Sequence, residues 1–494
     1  MYRPPYGNLN FVHQGASFPD EILNGSLPKK DSRSGGWIAI GALIALTVLC
    51  LFAGGSKILH LLFPAASLLV GIYLYYRDPV LYQGFTWWIW FLVAFIRRLA
   101  DYRSGYTESS PMLLAPYLVS FISILTVVKR INRTEEDGTT VFLLPLLATV
   151  YGLLIGCIMK NPFLAFRGFL DWAAPICFGF HLLVNWRIYP QYRQNCQRVF
   201  LWGTLVMSIY GIIQFLELPE WDVLWLKETG MASASGSAEE GGVRIWSTMH
   251  SAEPFAAVMA GALLILLSSA NILGIPVSIV GYVAILVCRV RSGWIGWAAG
   301  LLSFFAILNV KSQFRLIITA LILVLTVTPL LMMDEFSDKV FTRLDTLTDV
   351  QNDDSASGRQ EAFQTSIGKA LTNVIGDGLE RDSMDNSILA MLFYLGWIGT
   401  VPFLYGLGTL LIKMVAIVPD RRDVFSVVAR GVVMSAIVRF PVNGPHLGPS
   451  GTLLWSFLAF SIAADRYRSE QYLLAQDHHL SLMEIDLENE SELE

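Results

Sequence analysis

Long runs of apolar residues, separated by short polar stretches, extend over most of the chain. A helix needs about 20 apolar residues to cross the hydrocarbon core of a bilayer. The segments that fit this length are 37–54, 58–76, 79–96, 111–128, 140–159, 163–184, 199–216, 251–273, 275–290, 292–309, 315–333, 387–415, 424–440 and 449–464. The turns within 275–309 and 424–464 are short and polar, so twelve or thirteen spans fit as well as fourteen. The pattern predicts an all-α integral membrane protein, a polytopic bundle of about 12–14 transmembrane helices.

Two long polar segments, 217–250 and 334–386, interrupt the apolar runs. In the second, apolar residues between Ser357 and Ile375 recur at roughly helical spacing, which predicts a helix on the membrane surface that ends at Gly376 and Gly378. The predicted parts are a polar tail (1–36), transmembrane helices (37–216), a loop (217–250), transmembrane helices (251–333), a long loop (334–386), transmembrane helices (387–464) and an acidic tail (465–494).

The composition excludes several classes of protein. Hydrophobic residues make up 54% of the chain and charged residues 15%, with a mean hydropathy of +0.52; soluble domains carry about 25% charged residues. A water-soluble monomer, a disordered chain and a disulfide-rich secreted module are therefore excluded. No basic cluster interleaved with aromatic residues indicates nucleic-acid binding. The polar stretch before the first apolar run lacks the pattern of a cleavable signal peptide.

The distribution of Lys and Arg predicts the orientation in the membrane. If the N-terminus is cytoplasmic, the segments on its side hold eighteen Lys and Arg residues and the opposite segments hold nine, leaving out 334–386. This asymmetry predicts that both termini are cytoplasmic and that both long loops lie on the outer face.

Charged residues within the spans are the first candidates for function, because charge is costly at membrane depth. Arg167 and Asp171 are four residues apart in one span and predict either a self-compensating pair or a buried relay. Arg430 and Arg439 are expected to reach toward opposite interfaces.

Four arginines are predicted at the outer interface. Arg244 precedes a span, Arg289 and Arg291 lie in a very short turn between two spans, and Arg359 begins the surface helix. The guanidinium fork suits phosphate oxygens, so a convergent set would suit a lipid-linked pyrophosphate. The alternative is interfacial anchoring, or pairing with nearby acidic residues.

These segments resemble the O-antigen ligase and polymerase superfamily of bacterial envelope glycosyltransferases. The resemblance rests on four pieces in the family's order, which together cover about 244–400. They are the Arg244–Ala256 stretch, the Arg-Ser-Gly-Trp-Ile-Gly turn at 291–296, the long loop with Arg359 and the Gly376-x-Gly378 turn, and Asp385-Asn386 before a span that contains Leu-Gly-Trp-Ile-Gly at 395–399.

The resemblance implies transfer of a glycan from undecaprenyl diphosphate to a hydroxyl of another lipid-linked repeat unit, on the periplasmic side of the bacterial inner membrane. It implies catalytic roles for Asp385, Arg291, Arg359 and Arg244. The residues with an implied substrate-binding role are Arg289, Asn386, His250, Glu253, Gly376 and Gly378. No metal or other cofactor is expected, and a chain-length regulator and a flippase are the expected protein partners.

One departure from the family pattern bears on the reaction. Ligase members carry His-Asn before the final span, whereas this chain has Asp385-Asn386. The departure favours polymerisation over ligation, with Asp385 as base or as a group that orients the acceptor; His250, Glu253 and His446 are alternative bases. The competing hypotheses are a ligase that transfers finished glycan to lipid A or another acceptor, a transporter or flippase of lipid-linked glycan, and a purely structural membrane protein.

Overall fold

The protein is an all-α polytopic membrane protein. In the computed structural model of this chain, the described residues are 30–134, 139–230, 236, 239, 241–269, 271–308, 364–380, 386–441 and 447–491, with isolated helical positions between 310 and 325. Among these residues, eight helical stretches are long and apolar enough to cross a membrane, and three shorter apolar helices accompany them.

The helices are numbered in chain order. They are α1 (Lys30–Phe52), α2 (Ser56–Arg77), α3 (Pro79–Ser104), α4 (Ala115–Phe121), α5 (Ile124–Arg130), α6 (Leu143–Met159), α7 (Pro162–Val184), α8 (Tyr189–Leu216), α9 (Glu220–Thr229), α10 (Ala252–Leu266), α11 (Gly274–Val287), α12 (Arg291–Ile307), α13 (364–372), α14 (Ser387–Ala416), α15 (Val424–Ile437) and α16 (Gly448–Ser491).

The starts of several helices follow from local sequence. Asp78 accepts hydrogen bonds from the backbone N–H groups of Val80 and Leu81, and Pro79 occupies the first turn of α3. Asn161 followed by Pro162 begins α7 in the same way. Such caps satisfy backbone donors that the first turn of a helix leaves unpaired, so the breaks between spans are fixed by a few polar residues.

Thirteen of the fourteen predicted spans coincide with helices, and the prediction for 315–333 lies outside the described residues apart from isolated positions. The span predicted at 111–128 is interrupted at Ile122 and Ser123, between α4 and α5. Helix α8 begins ten residues before the predicted 199, and α16 joins the last span to the acidic tail without a break. Helix α9 lies in the 217–250 segment, where no helix was predicted.

Two sets of connections meet at opposite ends of the bundle. We call the loop end the one that carries the described segments 105–110, 217–230, 241–251, 288–290, 373–380 and 438–441. The opposite end carries 185–188 and 417–423. Ion pairs join segments within each end: Lys160 to Glu380 (2.9 Å) at the loop end, and Arg193 to Asp423 (3.1 Å) at the opposite end. Successive connections along the chain lie at alternate ends of the bundle, as expected if each predicted span crosses the membrane once.

The core is built where small residues allow close helix packing. A Cβ atom on Gly179 of α7 would lie 2.6 Å from the carbonyl oxygen of Trp455 in α16. Likewise, a Cβ atom on Gly300 of α12 would lie 2.6 Å from the carbonyl oxygen of Gly431 in α15. Small residues at such crossings are typical of membrane helices, because packing rather than the hydrophobic effect drives their association.

Candidate functional site

The segment 241–251 lies across the loop end and is held by polar side chains of the bundle. Gln214 accepts hydrogen bonds from the backbone N–H groups of Trp246 and Ser247, at 3.0 and 2.8 Å. Arg98 donates to the carbonyl oxygens of Ser247 and of Met249, the latter at 2.9 Å. Ser247 has a φ of +53°, so this backbone is fixed in a conformation that the contacts must stabilise.

A buried ion pair anchors this region. Arg98 Nε lies 2.9 Å from Asp222 Oδ1, and both side chains are fully buried. The second carboxylate oxygen of Asp222 accepts hydrogen bonds from Tyr210 (2.6 Å) and Gln214 (2.8 Å). A buried ion pair is tolerated only when further hydrogen bonds satisfy its charges. Here such bonds are made by the two terminal nitrogens of Arg98 and by Asp222 Oδ2, while Arg98 Nε and Asp222 Oδ1 have only each other as ion-pair partners.

A second buried network lies beside the first. Arg97 donates to Asp101 (3.2 Å) and to the carbonyl oxygen of Thr107 (2.7 Å), and its guanidinium group stacks on Trp225 at 4.7 Å. His60 lies between Asp101 (3.4 Å) and the hydroxyl of Ser110 (2.6 Å). The network joins α2, α3, the turn before α4 and α9, which accounts for the presence of these charges at the loop end.

His250 ends the segment and contacts the edge of Trp225, with ring centroids 5.4 Å apart. Burial, followed by the positive charges of Arg97 and Arg98, lowers the pKa of His250 to about 4. The imidazole is therefore neutral at pH 7. Within the described part of the chain, its Nδ1 atom is buried and has no hydrogen-bond partner.

Arg244, Arg289 and Glu253 lie near enough to Cys288 for their charges to act on its thiol. Arg289 donates to the carbonyl oxygens of Gly242 (2.9 Å) and Val243 (2.5 Å), and thereby joins the turn before α12 to the segment that carries Arg244. The charges of Arg289, Arg244 and Glu253 all act on the Cys288 thiol, which itself donates to the carbonyl oxygen of Ala252. Arg289 has a φ of +57°, so the short turn is held in the left-handed region.

Arg439 adds a further positive charge to this region. It lies 3.4 Å from Glu253 and is 1% exposed, whereas the Glu253 side chain is 45% exposed. Its Nε also donates to the carbonyl oxygen of Ser435. Arg430, in the middle of α15, is buried as well, so neither arginine extends to solvent.

The 291–296 sequence, predicted to be a turn, is instead the start of helix α12, because the turn ends at Val290, and its glycines have a packing role. A Cβ atom on Gly293 would lie 2.8 Å from the Cβ of Ala256, and one on Gly296 would lie 2.9 Å from the carbonyl oxygen of Ser435. Arg291 is the first residue of α12. These glycines therefore let α12 pack against α10 and α15, and Arg291 lies at the N-terminus of α12, where a negative charge is favoured.

Asn386 has two structural bonds in this region. Its side-chain oxygen caps α14 by accepting from Ile388 and Leu389, and its side-chain nitrogen donates to the carbonyl oxygen of Pro441 at 3.0 Å. The backbone N–H of Ser387 also donates to the carbonyl oxygen of Phe440. The start of α14 is thus joined to the segment that directly follows Arg439.

Gly376 and Gly378 lie in a segment, 373–380, that packs into a break in α14. At Gly396, with φ +60° and ψ −174°, the helix is interrupted. The N–H groups of Asp377 and Gly378 donate to the carbonyl oxygens of Phe393 and Tyr394, at 2.7 and 3.1 Å. Both glycines have positive φ, and a Cβ atom on Gly378 would lie 2.3 Å from the backbone of Gly156. These glycines are required by close backbone approach.

The site residues predicted from sequence therefore divide into four groups. One region of the structure contains Arg244, Arg289, Glu253, Arg439 and the start of α14 with Asn386. Arg291 adjoins this region, because it directly follows the 288–290 turn that carries Arg289. His250 lies at the end of the same segment, beside Arg97 and Arg98, whereas Gly376 and Gly378 pack against α6 and α14. Asp385, Arg359 and His446 lie outside the described residues.

Sequence reasoning missed Arg98, Asp222 and the pairing of Arg439 with Glu253. The sequence did hold a sign of the buried arginines, because Arg97 and Arg98 directly follow an apolar run. The predicted span ended at residue 96, so both arginines were counted as loop residues, whereas α3 continues to Ser104. The predicted pair of Arg167 and Asp171 is not among the described ion pairs; Asp171 accepts a hydrogen bond from Tyr117 instead.

A comparison with protein-family models finds no match to this chain, and a comparison with curated proteins finds none either. Among the described residues, no three His, Cys, Asp or Glu side chains lie close enough together to share a metal ion.

Proposed function

We propose that this protein polymerises lipid-linked oligosaccharide repeat units, using undecaprenyl-diphosphate-linked glycan as donor, at the outer face of a bacterial cytoplasmic membrane. The proposal includes membership of the O-antigen ligase and polymerase superfamily, which rests on the resemblance of 244–400. The observation that carries it is the hydrogen bonding of Arg289 to the carbonyl oxygens of Gly242 and Val243, directly before Arg244, with Arg291 beginning the next helix.

The arrangement suits a pyrophosphate leaving group. Arg244 and Arg291 would bind its oxygens, while Arg289 positions Arg244 through the carbonyl groups of Gly242 and Val243. The N-terminus of α12 favours the same negative charge. These fixed charges act most strongly where charge develops during the reaction, so they lower the barrier rather than only binding substrate.

The reaction itself needs one proton transfer. The acceptor hydroxyl attacks the anomeric carbon, a new glycosidic C–O bond forms, the bond to the phosphate oxygen breaks, and the hydroxyl proton passes to a base. His250 is a weak base because its pKa is lowered to about 4. Asp385, which directly precedes the cap of α14, and Glu253, which is partly exposed beside Arg439, are the stronger candidates for this role.

The test is the length distribution of lipid-linked glycan in cells with and without the gene, by gel and mass spectrometry. We expect loss of the gene to remove long chains and to leave single repeat units on the lipid carrier. Arg244→Ala and Arg291→Ala should reproduce this loss at unchanged protein level. Arg187→Ala is the matched control, because Arg187 is exposed at the opposite end and pairs with Glu470.

Other outcomes separate the alternatives. Long chains that remain on the lipid carrier without reaching their final acceptor would make the protein a ligase. Substrate retained on the cytoplasmic side would indicate a transporter. Long chains that persist in both arginine variants would show that these residues do not bind the leaving group.

A further inference from the structure

A cavity of about 420 Å³ lies at the opposite end of the bundle, away from the proposed reaction site. Its wall comes from the start of α8, the 417–423 turn, the start of α15 and the middle of α16. The volume is within the range of small-molecule binding sites. Three arginines and three aspartates line it, so its surface carries both signs of charge.

Most of these charges have partners. Asp423 accepts from Arg193 (3.1 Å), Tyr189 (2.6 Å) and the backbone of Ser426, so its carboxylate is fully used. Asp465 pairs with Arg468, which also donates to the carbonyl oxygen of Val418. These two ion pairs form the wall of the cavity and leave little charge for a ligand.

Arg430 differs from the other arginines. It is 6% exposed, and among the described residues its hydrogen bond goes to the carbonyl oxygen of Ile417 at 2.8 Å. In the described part of the chain, no carboxylate lies within 4.0 Å of its guanidinium group and its Nε atom has no hydrogen-bond partner. The negative charge of Asp465, which is itself paired with Arg468, acts on Arg430 only from beyond 4.0 Å. A buried guanidinium with no carboxylate in direct contact is costly, so the site favours a bound anion.

Asp420 lines the same cavity and carries a negative charge, opposite in sign to that of Arg430. Its described hydrogen bonds come from backbone N–H groups, including that of Arg422 to its side chain at 2.9 Å. Among the described residues, no Lys or Arg side chain forms an ion pair with it. The cavity thus presents one positive and one negative group that form no ion pair within 4.0 Å with any described residue.

We propose that this cavity binds a zwitterionic amino-phosphate group, with the phosphate at Arg430 and the ammonium at Asp420. Phosphatidylethanolamine in the adjacent leaflet and a soluble phosphoethanolamine ester share this chemistry. The lipid is favoured by the apolar surface beside the opening, where Val415 and Val418 are 70% and 74% exposed. The guanidinium fork matches phosphate oxygens better than a point charge would.

The experiment uses the full chain, purified in detergent and delipidated. Phosphatidylethanolamine should raise its unfolding temperature and give a one-lipid adduct in native mass spectrometry. Phosphatidylglycerol, which lacks the ammonium, should bind at least tenfold more weakly. Glycerophosphoethanolamine, the soluble counterpart, distinguishes the two sources: an equal shift with it would assign the site to a soluble ester.

Three variants and a control test the residues. Arg430→Met should abolish the shift caused by phosphatidylethanolamine, and Asp420→Asn should remove the preference for it over phosphatidylglycerol. Ala464→Leu, which fills the cavity without changing a charge, should block binding and covers the case in which Arg430→Met fails to fold. Arg187→Met, an exposed arginine at the same end, should bind as the wild type does.

Two results would overturn the proposal. One is an Arg430→Met protein that binds phosphatidylethanolamine with unchanged affinity. The other is the absence of both the adduct and the temperature shift in the wild-type protein. Because the cavity lies at the opposite end from Arg244 and Arg291, neither result bears on the proposed polymerase activity.

Discussion

At the level of single residues, the buried charged side chains of the loop end form hydrogen bonds that fix the backbone of neighbouring segments. Arg98 is the clearest case, since one side chain pairs with Asp222 and donates to two carbonyl groups of the 241–251 segment. Its partners are more than 120 positions away along the chain, so no local pattern in the sequence could reveal them. The sequence shows that Arg98 lies near the end of α3, but it does not show that Asp222 is its partner.

Replacing Arg98 tests this role. Arg98→Met leaves Asp222 buried without its counter-charge, and we expect a destabilisation of about 3–5 kcal/mol, measured as a lower unfolding temperature in detergent. Arg103→Met, at an exposed position of the same helix, should have little effect. The double variant Arg98→Met/Asp222→Leu should recover part of the loss, because it removes the unpaired charge. Equal destabilisation by Arg98→Met and Arg103→Met would contradict the anchoring role.

His250 predicts a dependence of stability on pH. Its pKa is about 4 in the folded protein and about 6.5 in an unfolded chain. As the pH falls from 6.5 to 4, the unfolded state takes up a proton that the folded state does not, so stability decreases across this window and no further below it. The wild-type protein should therefore lose more thermal stability between pH 7 and pH 4.5 than His250→Gln. Parallel unfolding curves for the two proteins would show that His250 does not titrate in this way.

At the level of elements, sequence predicted the spans well and their interruptions poorly. The apolar run at 387–415 predicted α14. The helical spacing near Ile367 predicted a helix on the membrane surface; α13 confirms the helix at 364–372, and its place on the membrane surface stays a prediction. In α13, however, Ile367 and Ala370 face the bundle, while Leu371 is exposed. The reason is the packing of 373–380 into the break at Gly396, a contact between segments that only the folded chain defines.

The break in α14 gives a prediction for Gly396. The N–H groups of Trp397 and Ile398 donate to the carbonyl oxygens of Asn373 and Val374 in place of their own helix. Gly396→Ala would strain a backbone that essentially only glycine adopts and place a Cβ atom 2.4 Å from the backbone of Gly376. We expect a lower unfolding temperature, by a strain of at least about 1–3 kcal/mol, and faster tryptic cleavage at Lys369.

Gly408 is the matched control for that substitution. It lies in the same helix, and a Cβ atom there would meet nothing within 4 Å. Gly408→Ala should therefore leave stability unchanged or raise it by about 0.5–1 kcal/mol, because alanine favours a helix interior. If the two variants behave alike, the packing of 373–380 into α14 does not contribute to stability.

At the level of the whole molecule, the charges differ between the two ends. The opposite end carries exposed arginines, including Arg187, Arg421 and Arg422, whereas the loop end buries Arg98 and Arg439 and uses them for internal bonds. The positive-inside rule concerns Lys and Arg side chains in the loops, which are exposed, and not arginines that are buried in internal bonds. Counting only accessible cations therefore strengthens the prediction, made from the sequence, that the opposite end is cytoplasmic.

This orientation can be measured with single cysteines in a variant that lacks the five native ones. Lys227 in α9 and Arg421 in the 417–423 turn are both exposed, and they lie at different ends of the bundle. In right-side-out spheroplasts, a membrane-impermeant maleimide should label Lys227→Cys, and should label Arg421→Cys only after permeabilisation. Labelling of both before permeabilisation would contradict a bundle that spans the membrane. Labelling of Arg421→Cys alone would place Arg244, Arg289 and Arg291 on the cytoplasmic side, where a polymerase of translocated lipid-linked units has no substrate, and the proposed function would then fail even if the fold stands.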